Sequence, residues 1–287
     1  MKGLFRRLLM LTPVVFIGFF LILPLGFTFV ISFWKRAGFK IQPAFTLNSY
    51  TEFFSGVRLW VLERSLLVSI EATALSLLIA YPIAYFIAKR IKPELTRSIL
   101  MLFTIPFLVN YIIRTFAWTY MLGRTGPINS ILMRLEVVGT TVDWFLYSDF
   151  AVLLGLITSY MPFMIFPLWL SLSRIEPQLV EASWLLGANP AKSFFRITLP
   201  LSMPGIFAAV IFGFVGCFGE SAVPIILGGV GYQLMGNTIT SAMDVLNYPL
   251  AAAMSSVVVG TMLFLLMLWY FVFDMRSFLG KVMSWKV

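Results

Sequence analysis

The chain has 287 residues, of which 60% are hydrophobic and only 11% are charged, and its mean hydropathy is +0.94. About a quarter of the residues of a soluble domain are charged, so this composition excludes a water-soluble globular protein. A single cysteine, Cys217, excludes an internal disulfide framework, and the lack of histidine excludes His-based triads and His-ligated zinc sites. Gly-rich phosphate-binding motifs are also missing. We therefore expect no catalytic residue and no metal site in this chain, and nucleotide chemistry only on another one.

The charge is asymmetric, because 21 Lys and Arg residues outnumber 12 Asp and Glu residues and give a formal net charge of +9. Such an excess can indicate nucleic-acid binding. In a chain this apolar, the basic residues are better explained by membrane topology, since they gather on the cytoplasmic side of a bilayer. We therefore expect a lipid bilayer, and no nucleic acid, as a partner.

Six apolar runs are long enough, at about 20 residues, to cross a bilayer. Only helices or closed barrels satisfy their backbone in lipid, and no alternating pattern supports a barrel. The first run is too long for the apolar region of a signal peptide, and no small-residue cleavage site follows it, so we interpret it as retained. The sequence thus predicts an all-α membrane protein, one domain over residues 1–287, with transmembrane helices near residues 12–34, 65–88, 98–122, 150–173, 204–227 and 249–273.

The distribution of basic residues predicts that both termini are cytoplasmic, because thirteen of them then fall on the cytoplasmic side and seven on the outer side. The cytoplasmic set is Lys2, Arg6, Arg7, Lys89, Arg90, Lys92, Arg97, Arg174, Lys192, Arg196, Arg276, Lys281 and Lys286. The outer set is Lys35, Arg36, Lys40, Arg58, Arg64, Arg124 and Arg134. The longest connections are the outer loops 35–64 and 123–149 and the cytoplasmic loop 174–203.

Local signals in the loop 174–203 predict two short helices joined by a sharp bend. Pro177 suits the first turn of a helix, and Gly187 suits the position just after its end. Asn189, followed by a proline, is an N-cap that starts the second helix. We expect that helix to end before Pro200, because a proline within a helix removes a hydrogen bond and clashes with the preceding turn.

The first of these two helices has one face of apolar and small side chains, three and four residues apart. The face comprises Leu179, Ala182, Ser183 and Leu186. So short a hairpin cannot bury the face by itself, and the periodicity leaves two interpretations open. The face lies on the membrane or beneath the protein's own helices, or a partner's backbone closely approaches its small residues.

The same loop resembles the EAA loop of ABC importer permeases. Glu181, Ala182 and Ser183 precede Gly187 and the run Ile197-Thr198-Leu199-Pro200 at the spacing of that motif: EAA, three residues, Gly, nine residues and I-x-L-P. Ser183 replaces the second alanine and is also small. The resemblance implies the type I importer permease fold, with a two-helix loop between helices 4 and 5 that docks on an ATP-binding subunit. The residues that carry this coupling role by resemblance are Glu181, Ala182, Ser183, Gly187, Ile197, Leu199 and Pro200.

Shorter motifs resemble the polyamine-type (spermidine/putrescine) permeases within this family. They are Ile105-Pro106-Phe107, Asn110, Ile113-Arg114, Gly126–Asn129, Gly219-Glu220, Pro224 and Leu227-Gly228-Gly229. The resemblance implies a permease in the bacterial inner membrane with no cofactor of its own. ATP and Mg are then expected on separate ATP-binding cassette subunits, and a periplasmic or extracellular binding protein delivers the solute. A second permease chain, related but non-identical, completes the path.

Three ionisable residues, Glu71, Arg114 and Glu220, fall inside the predicted helices. Each costs about 2.5–3.5 kcal/mol at the centre of a membrane helix on insertion scales, so each needs compensation or a function. Counting a rise of about 1.5 Å per residue from the helix ends places all three at similar depth in the outer half of the bilayer. An ion pair between Glu71 and Arg114 that fixes helix packing is the simplest interpretation of two of these charges.

Glu220 then lacks a basic partner in the predicted helices, and an unpaired carboxylate there faces water or takes up a proton. Gly213, Gly216 and Gly219 precede it and Pro224 follows it, a pattern that predicts a break in the helix where opened backbone lines a cavity. The glycines also suit close helix packing, and both interpretations can hold. We hypothesise that Glu220 lines a translocation path for a cation, with Arg114, Glu71 and Asn110 as further path residues.

These features favour a permease subunit of an ATP-driven importer, without covalent chemistry of its own, for a small cationic solute such as a polyamine. An ion-coupled secondary transporter is the alternative from another class; intramembrane carboxylates allow it, but it needs no docking loop. Another alternative is an ABC importer of a non-polyamine solute, which would have the same docking loop and would differ only in its translocation path. A membrane scaffold would leave the buried charges without a purpose.

Overall fold

The computed structural model describes residues 13, 15–38 and 40–272, and helices dominate this part of the chain. Six of the basic residues used above to orient the termini, Lys2, Arg6, Arg7, Arg276, Lys281 and Lys286, lie outside the described residues. The elements in chain order are a π-helical turn (Gly18–Ile22), α1 (Leu23–Ile31), β1 (Lys35–Ala37), β2 (Lys40–Gln42), α2 (Asn48–Phe54), α3 (Val57–Arg90), α4 (Pro93–Leu108), α5 (Tyr111–Leu122), α6 (Pro127–Arg134), a 3-10 turn (Asp143–Phe145), α7 (Asp149–Ser173), α8 (Pro177–Leu185), α9 (Pro190–Ser193), a second π-helical turn (Phe194–Thr198), α10 (Leu199–Gly219), α11 (Ala222–Leu227), α12 (Met235–Asp244) and α13 (Tyr248–Val272).

Long apolar helices confirm the membrane character that the composition predicts. Among the described residues, four helical stretches are long and apolar enough to cross a bilayer, namely Val57–Arg90, Asp149–Ser173, Pro190–Gly219 and Tyr248–Phe271. They correspond to the predicted runs near 65–88, 150–173, 204–227 and 249–273. The first apolar run forms a shorter helical stretch, Val15–Ile31.

The prediction of one continuous helix over 98–122 is wrong. The chain forms α4 of 16 residues and α5 of 12 residues, separated by Val109, which is extended, and Asn110, which is also non-helical. Asn110 causes the restart, because its side-chain oxygen accepts a hydrogen bond of 2.9 Å from the backbone N–H of Ile112. An N-cap asparagine favours a new helix over continuation of the old one.

The described chain divides into two compact units, of which the first combines the described residues up to Leu62 with the described residues from Thr238 onward. In this unit α13 packs against α1 and α2. The strands β1 and β2 form an antiparallel hairpin with Lys35 opposite Gln42. Ser32 Oγ lies 2.7 Å from the Tyr50 hydroxyl and ties the end of α1 to α2.

The second unit, residues 63–237, is built around the pair α7 and α10, which pack along most of their lengths. Glycines on α10 make this contact close. A Cβ atom at Gly205 would lie 2.6 Å from the Pro167 carbonyl oxygen and 3.2 Å from the Leu168 Cα atom. Helices approach this closely where the interface residues are small, which is the packing interpretation of the glycine row.

Candidate functional site

The most distinctive feature of the second unit is a helix break at Glu220, as the glycine and proline pattern predicts. α10 ends at Gly219, Glu220 has extended backbone (ψ 133°), and α11 begins at Ala222. The Glu220 Oε1 atom accepts hydrogen bonds from the backbone N–H groups of Ser221 (3.0 Å), Ala222 (2.9 Å) and Val223 (3.4 Å). The carboxylate therefore stabilises the first turn of the helix that follows it.

The other carboxylate oxygen of Glu220 is bonded by a residue that the sequence interpretation missed. The Tyr160 hydroxyl of α7 donates a hydrogen bond of 2.5 Å to Glu220 Oε2. The Tyr160 ring lies directly against Gly216, where a Cβ atom would collide with it. A signal was present, since a tyrosine in the middle of an apolar run has a hydroxyl that needs a partner.

Arg114 and Asn110 reach the same region because of the break between α4 and α5. Together with Glu220 and Tyr160 they line a cavity of about 300 Å³. The residues of this cavity, called here the Glu220 cavity, are Val109, Asn110, Tyr111, Arg114, Ser159, Tyr160, Phe163 and Glu220. Three of the four predicted path residues therefore meet in one cavity, whose wall carries one acidic and one basic side chain.

Glu71, the fourth predicted path residue, does not line the Glu220 cavity, and its side chain is exposed on α3. No ion pair joins Glu71 to Arg114 in the part of the chain that the structure describes, so the expected packing role for this pair is not realised. The physical reason is the restart at Asn110. It gives α5 its own direction and places Arg114 on the wall of the Glu220 cavity instead.

The loop 174–203, here called the EAA-like loop, contains a helical hairpin in which α8 precedes Gly187 and α9 follows it. α8 begins at Pro177, and Gly187 follows its end with a φ of +82°. Glycine suits this position because a left-handed φ is unfavourable for residues with a side chain. Asn189 caps α9, since its Oδ1 atom accepts a hydrogen bond of 2.8 Å from the Lys192 N–H.

Ser183, the departure from the EAA pattern, is buried and holds the two helices of the hairpin together. Its Oγ atom lies 2.6 Å from the Ser193 Oγ atom, which is also buried. The rest of the predicted face points away from the protein: Leu179 and Ala182 are exposed, and Leu186 is 88% exposed. The interpretation in which this face packs beneath the protein's own helices is therefore not what the structure shows.

Other residues of the EAA-like loop add to this exposed surface. Leu185 is 90% exposed, and Trp184 and Phe195 are also exposed. Glu181, the first residue of the motif, is exposed as well. An apolar area of this kind marks a binding surface or a membrane contact.

The expectation that a helix ends before Pro200 is wrong, because helical structure runs without interruption from α9 into α10. The residues between them form a π-helical turn in which the Leu199 N–H bonds to the Phe194 carbonyl. This wider turn changes the hydrogen-bond register just before Pro200, and such a local π adjustment accommodates a proline within a helix by satisfying the backbone groups that the proline leaves free. Ile197 and Leu199 are partly buried on this segment.

Phe194 connects the EAA-like loop to α3. Its ring contacts the rings of Tyr81 and Tyr85 edge-on, each with a centroid distance of 6.0 Å. The Tyr81 hydroxyl lies 2.9 Å from the Ser202 Oγ atom on α10. Lys89 near the end of α3 donates a hydrogen bond of 2.6 Å to the Ile175 carbonyl. These contacts join the loop to two long helices.

A second polar cluster lies at the start of α7, away from the Glu220 cavity. Asp149 accepts hydrogen bonds from Arg64 (2.9 Å) and from the Tyr232 hydroxyl (2.6 Å), and the guanidinium of Arg64 lies 4.4 Å from the Tyr232 ring centroid. Burial, and then the hydrogen bond to Asp149, raise the pKa of Tyr232. Tyr232 is thus a protonated donor at neutral pH. Among the described residues, no group of three or more His, Cys, Asp and Glu side chains is placed to hold a metal ion.

We expect Ser183→Ala to weaken the hairpin, because it removes a buried hydrogen bond that contributes about 1 kcal/mol and leaves the Ser193 hydroxyl with one partner fewer. The variant should lower the thermal midpoint of the purified protein. Ser173→Ala, which removes an exposed hydroxyl bonded to the Leu170 carbonyl, is the matched control. Equal midpoints for the two variants would show that the Ser183–Ser193 contact does not hold the hairpin.

A family model described as the inner membrane component of binding-protein-dependent transport systems matches residues 72–277. The spermidine/putrescine transport system permease protein PotB of Haemophilus influenzae is 33% identical over 254 residues, which cover 88% of each chain. PotB of Escherichia coli K12 is 33% identical over 228 residues, 78% of this chain and 82% of that one.

A solved structure supports the same fold at lower identity. A chain of a bacterial alginate ABC transporter, crystallised with an alginate pentasaccharide-bound periplasmic protein, matches with a TM-score of 0.70 and 16% identity. The match covers 92% of this chain and 93% of the other. At this identity the likeness concerns the fold alone, and it agrees with the permease architecture expected from the EAA-like loop.

Proposed function

The chain belongs to the family of inner membrane components of binding-protein-dependent transport systems, and we propose that it forms half of the translocation path of an ATP-driven importer for a polyamine or a similar small cation. It performs no covalent chemistry itself. ATP and Mg bind two partner ATPase subunits, a solute-binding protein delivers the solute on the outer side, and a related, non-identical permease chain supplies the other half of the path.

We propose six membrane crossings with both termini in the cytoplasm. Four crossings are the long apolar helices. The helical stretch Val15–Ile31 would make the first, and α4 and α5 together would make a third crossing that is interrupted at Val109 and Asn110. Interrupted helices within a membrane are tolerated where they line a cavity, and this interruption borders the Glu220 cavity.

The EAA-like loop is proposed to dock on an ATPase subunit. Support comes from its exposed apolar surface around Leu185 and Leu186 and from the tie between Ser183 and Ser193. ATP-driven closure of the ATPase subunits would move α8, and the contacts of Phe194 with α3 would pass the movement to the membrane helices. A ligand shifts such an equilibrium only through differential contacts with its two states, and the docked loop provides those contacts.

The proposal of a cationic solute rests on the position of Glu220 on the cavity wall. Its carboxylate is held in place by three backbone donors and one phenol, and it is 8% exposed. A fixed carboxylate in a cavity attracts an ammonium group. The two PotB relatives, which are spermidine/putrescine permease proteins by name, agree with this choice of solute.

The test is uptake of spermidine by Glu220→Gln in proteoliposomes that contain the complete transporter. We expect KM to rise about tenfold, since a hydrogen bond to a charged group contributes about 1.5–3 kcal/mol and 1.4 kcal/mol is a factor of ten. Glu63→Gln, which removes an exposed carboxylate on α3 outside the cavity, is the control. We expect Glu71→Gln to change KM less than Glu220→Gln does. Wild-type kinetics for Glu220→Gln would refute the cation path.

A second candidate solute is suggested by Arg114, because a guanidinium on the same wall can bind a carboxylate or phosphate. A zwitterionic solute could then use both side chains. Competition against labelled spermidine distinguishes the two: diamines and triamines should inhibit uptake, whereas inhibition by amino acids alone would favour the zwitterion. An ion-coupled transporter acting without ATPase partners is not favoured by the family match.

A further inference from the structure

The two oxygens of the Glu220 carboxylate have different partners. Oε1 is occupied by three backbone N–H groups that belong to the same chain segment and start α11. Oε2 is bonded by the Tyr160 hydroxyl, which comes from α7, 60 residues away in sequence. Oε1 is therefore committed to the fold, and Oε2 is the oxygen that can exchange its partner.

The position of the Tyr160 hydroxyl is set by packing. The ring lies against Gly216, whose missing side chain leaves the space for it, and both residues belong to the close contact between α7 and α10. Tyr160 also lines the Glu220 cavity, so a molecule in the cavity can reach both the phenol and the carboxylate. A donor that is fixed in this way competes with a solute more effectively than a mobile water molecule does.

We propose that Tyr160 determines the affinity of the path for ammonium groups, because its hydroxyl occupies the Glu220 Oε2 position that an N–H donor of the solute must take. The inference rests on the proposed function. An entering primary or secondary ammonium displaces the phenol from Oε2 and replaces one charge-assisted hydrogen bond with another. On release the phenol returns to Oε2 and competes with the departing ammonium.

This exchange makes the Glu220 cavity a site of transient binding. Without the phenol, an ammonium would gain its full interaction with the carboxylate, and the solute would leave slowly. Removal of the hydroxyl should therefore lower KM and also lower the turnover number, since the same competition assists both exchange steps. A tyrosine that served only packing would show neither change when replaced by phenylalanine.

The experiment measures spermidine uptake and ATP hydrolysis by the complete transporter in proteoliposomes. Tyr160→Phe keeps the ring against Gly216 and removes only the hydroxyl, and it should lower KM about fivefold and lower the turnover number. Tyr232→Phe is the matched control, because it removes another phenol-to-carboxylate hydrogen bond at the cluster around Asp149. Its KM should stay at the wild-type value.

The double variant Tyr160→Phe/Glu220→Gln tests whether the Tyr160 hydroxyl acts through Glu220. If the phenol acts through Glu220, the double variant should have the KM of Glu220→Gln alone, because residues in one hydrogen-bonded pair are not additive. Tyr160→Leu is a second hydroxyl-free variant that should change KM in the same direction if Tyr160→Phe does not assemble.

The outcomes separate the two proposals. A KM that is unchanged or raised in Tyr160→Phe, or an effect that persists fully in the Glu220→Gln background, overturns the role of Tyr160 while the cation path stands. If Glu220→Gln itself transports spermidine with wild-type kinetics, the proposed path fails, and the role of Tyr160 fails with it.

Discussion

Replacement of Gly187 by proline is expected to reduce ATP-driven uptake by at least about tenfold while the chain still inserts into the membrane. Gly187 has a φ of +82°, and its N–H donates a hydrogen bond of 2.9 Å to the Trp184 carbonyl. Proline fixes φ near −65° and has no N–H. A strained backbone costs about 1–3 kcal/mol, and 1.4 kcal/mol corresponds to a factor of ten.

The effect should be on coupling, because Gly187 stands between the two helices of the EAA-like loop. The next residue, Ala188, donates to the Ser183 carbonyl at 2.9 Å, so the bend also supports the segment that carries Ser183. A change of direction at Gly187 would turn α8 away from α9 and separate the exposed face from Phe194. The membrane helices themselves do not depend on this bend.

Gly187→Asn is the matched control, since asparagine accepts a left-handed conformation better than other residues with side chains. Uptake and ATP hydrolysis are measured together on the complete transporter. Gly187→Pro should hydrolyse ATP without uptake, whereas Gly187→Asn should retain most of both activities. Normal transport by Gly187→Pro would show that the EAA-like loop does not carry the coupling.

The EAA-like loop was largely predictable from sequence, because its signals are local. Pro177, Gly187 and Asn189 each act through their own backbone geometry, and all three stand where the pattern places them. The continuation through Pro200 was not predictable in the same way. It depends on the π-helical turn Phe194–Thr198, which no single residue type predicts.

The Glu220 cavity was predictable in part. Polar residues in apolar runs are rare enough that the sequence alone indicates Glu220, Arg114 and Asn110 as candidate path residues. The structure brings these three together in one cavity. Counting residues along a helix gives depth but not the direction in which a side chain points. Glu71 therefore appeared equivalent to the others although it lies elsewhere, and Tyr160 was overlooked because an uncharged aromatic side chain stands out less in an apolar run than a charged one does.

The helices α7 and α10 have to stay in close contact for Tyr160 to reach Glu220. At Gly205 the two backbones are so close that a side chain has no room. A Cβ atom there would lie 2.5 Å from the Ser171 Cβ atom and 2.6 Å from the Pro167 carbonyl oxygen. Neither neighbour is the flexible end of a side chain. We expect Gly205→Ala to destabilise the protein by about 1–3 kcal/mol, the usual range for an overpacked core.

Gly213→Ala on the same helix is the matched control, because its nearest neighbour at 2.8 Å is the sulfur of Met164. A methionine side chain has three rotatable bonds and adapts to an added methyl group, whereas the α7 backbone beside Gly205 cannot move without disturbing the whole contact. The purified variants should therefore differ in thermal midpoint, with Gly205→Ala the lower. Spermidine uptake at low temperature should also fall more in Gly205→Ala, since a shift of α7 moves the Tyr160 hydroxyl relative to Glu220. Equal midpoints would mean that α7 and α10 separate easily, and the fixed position of the phenol would then need another cause.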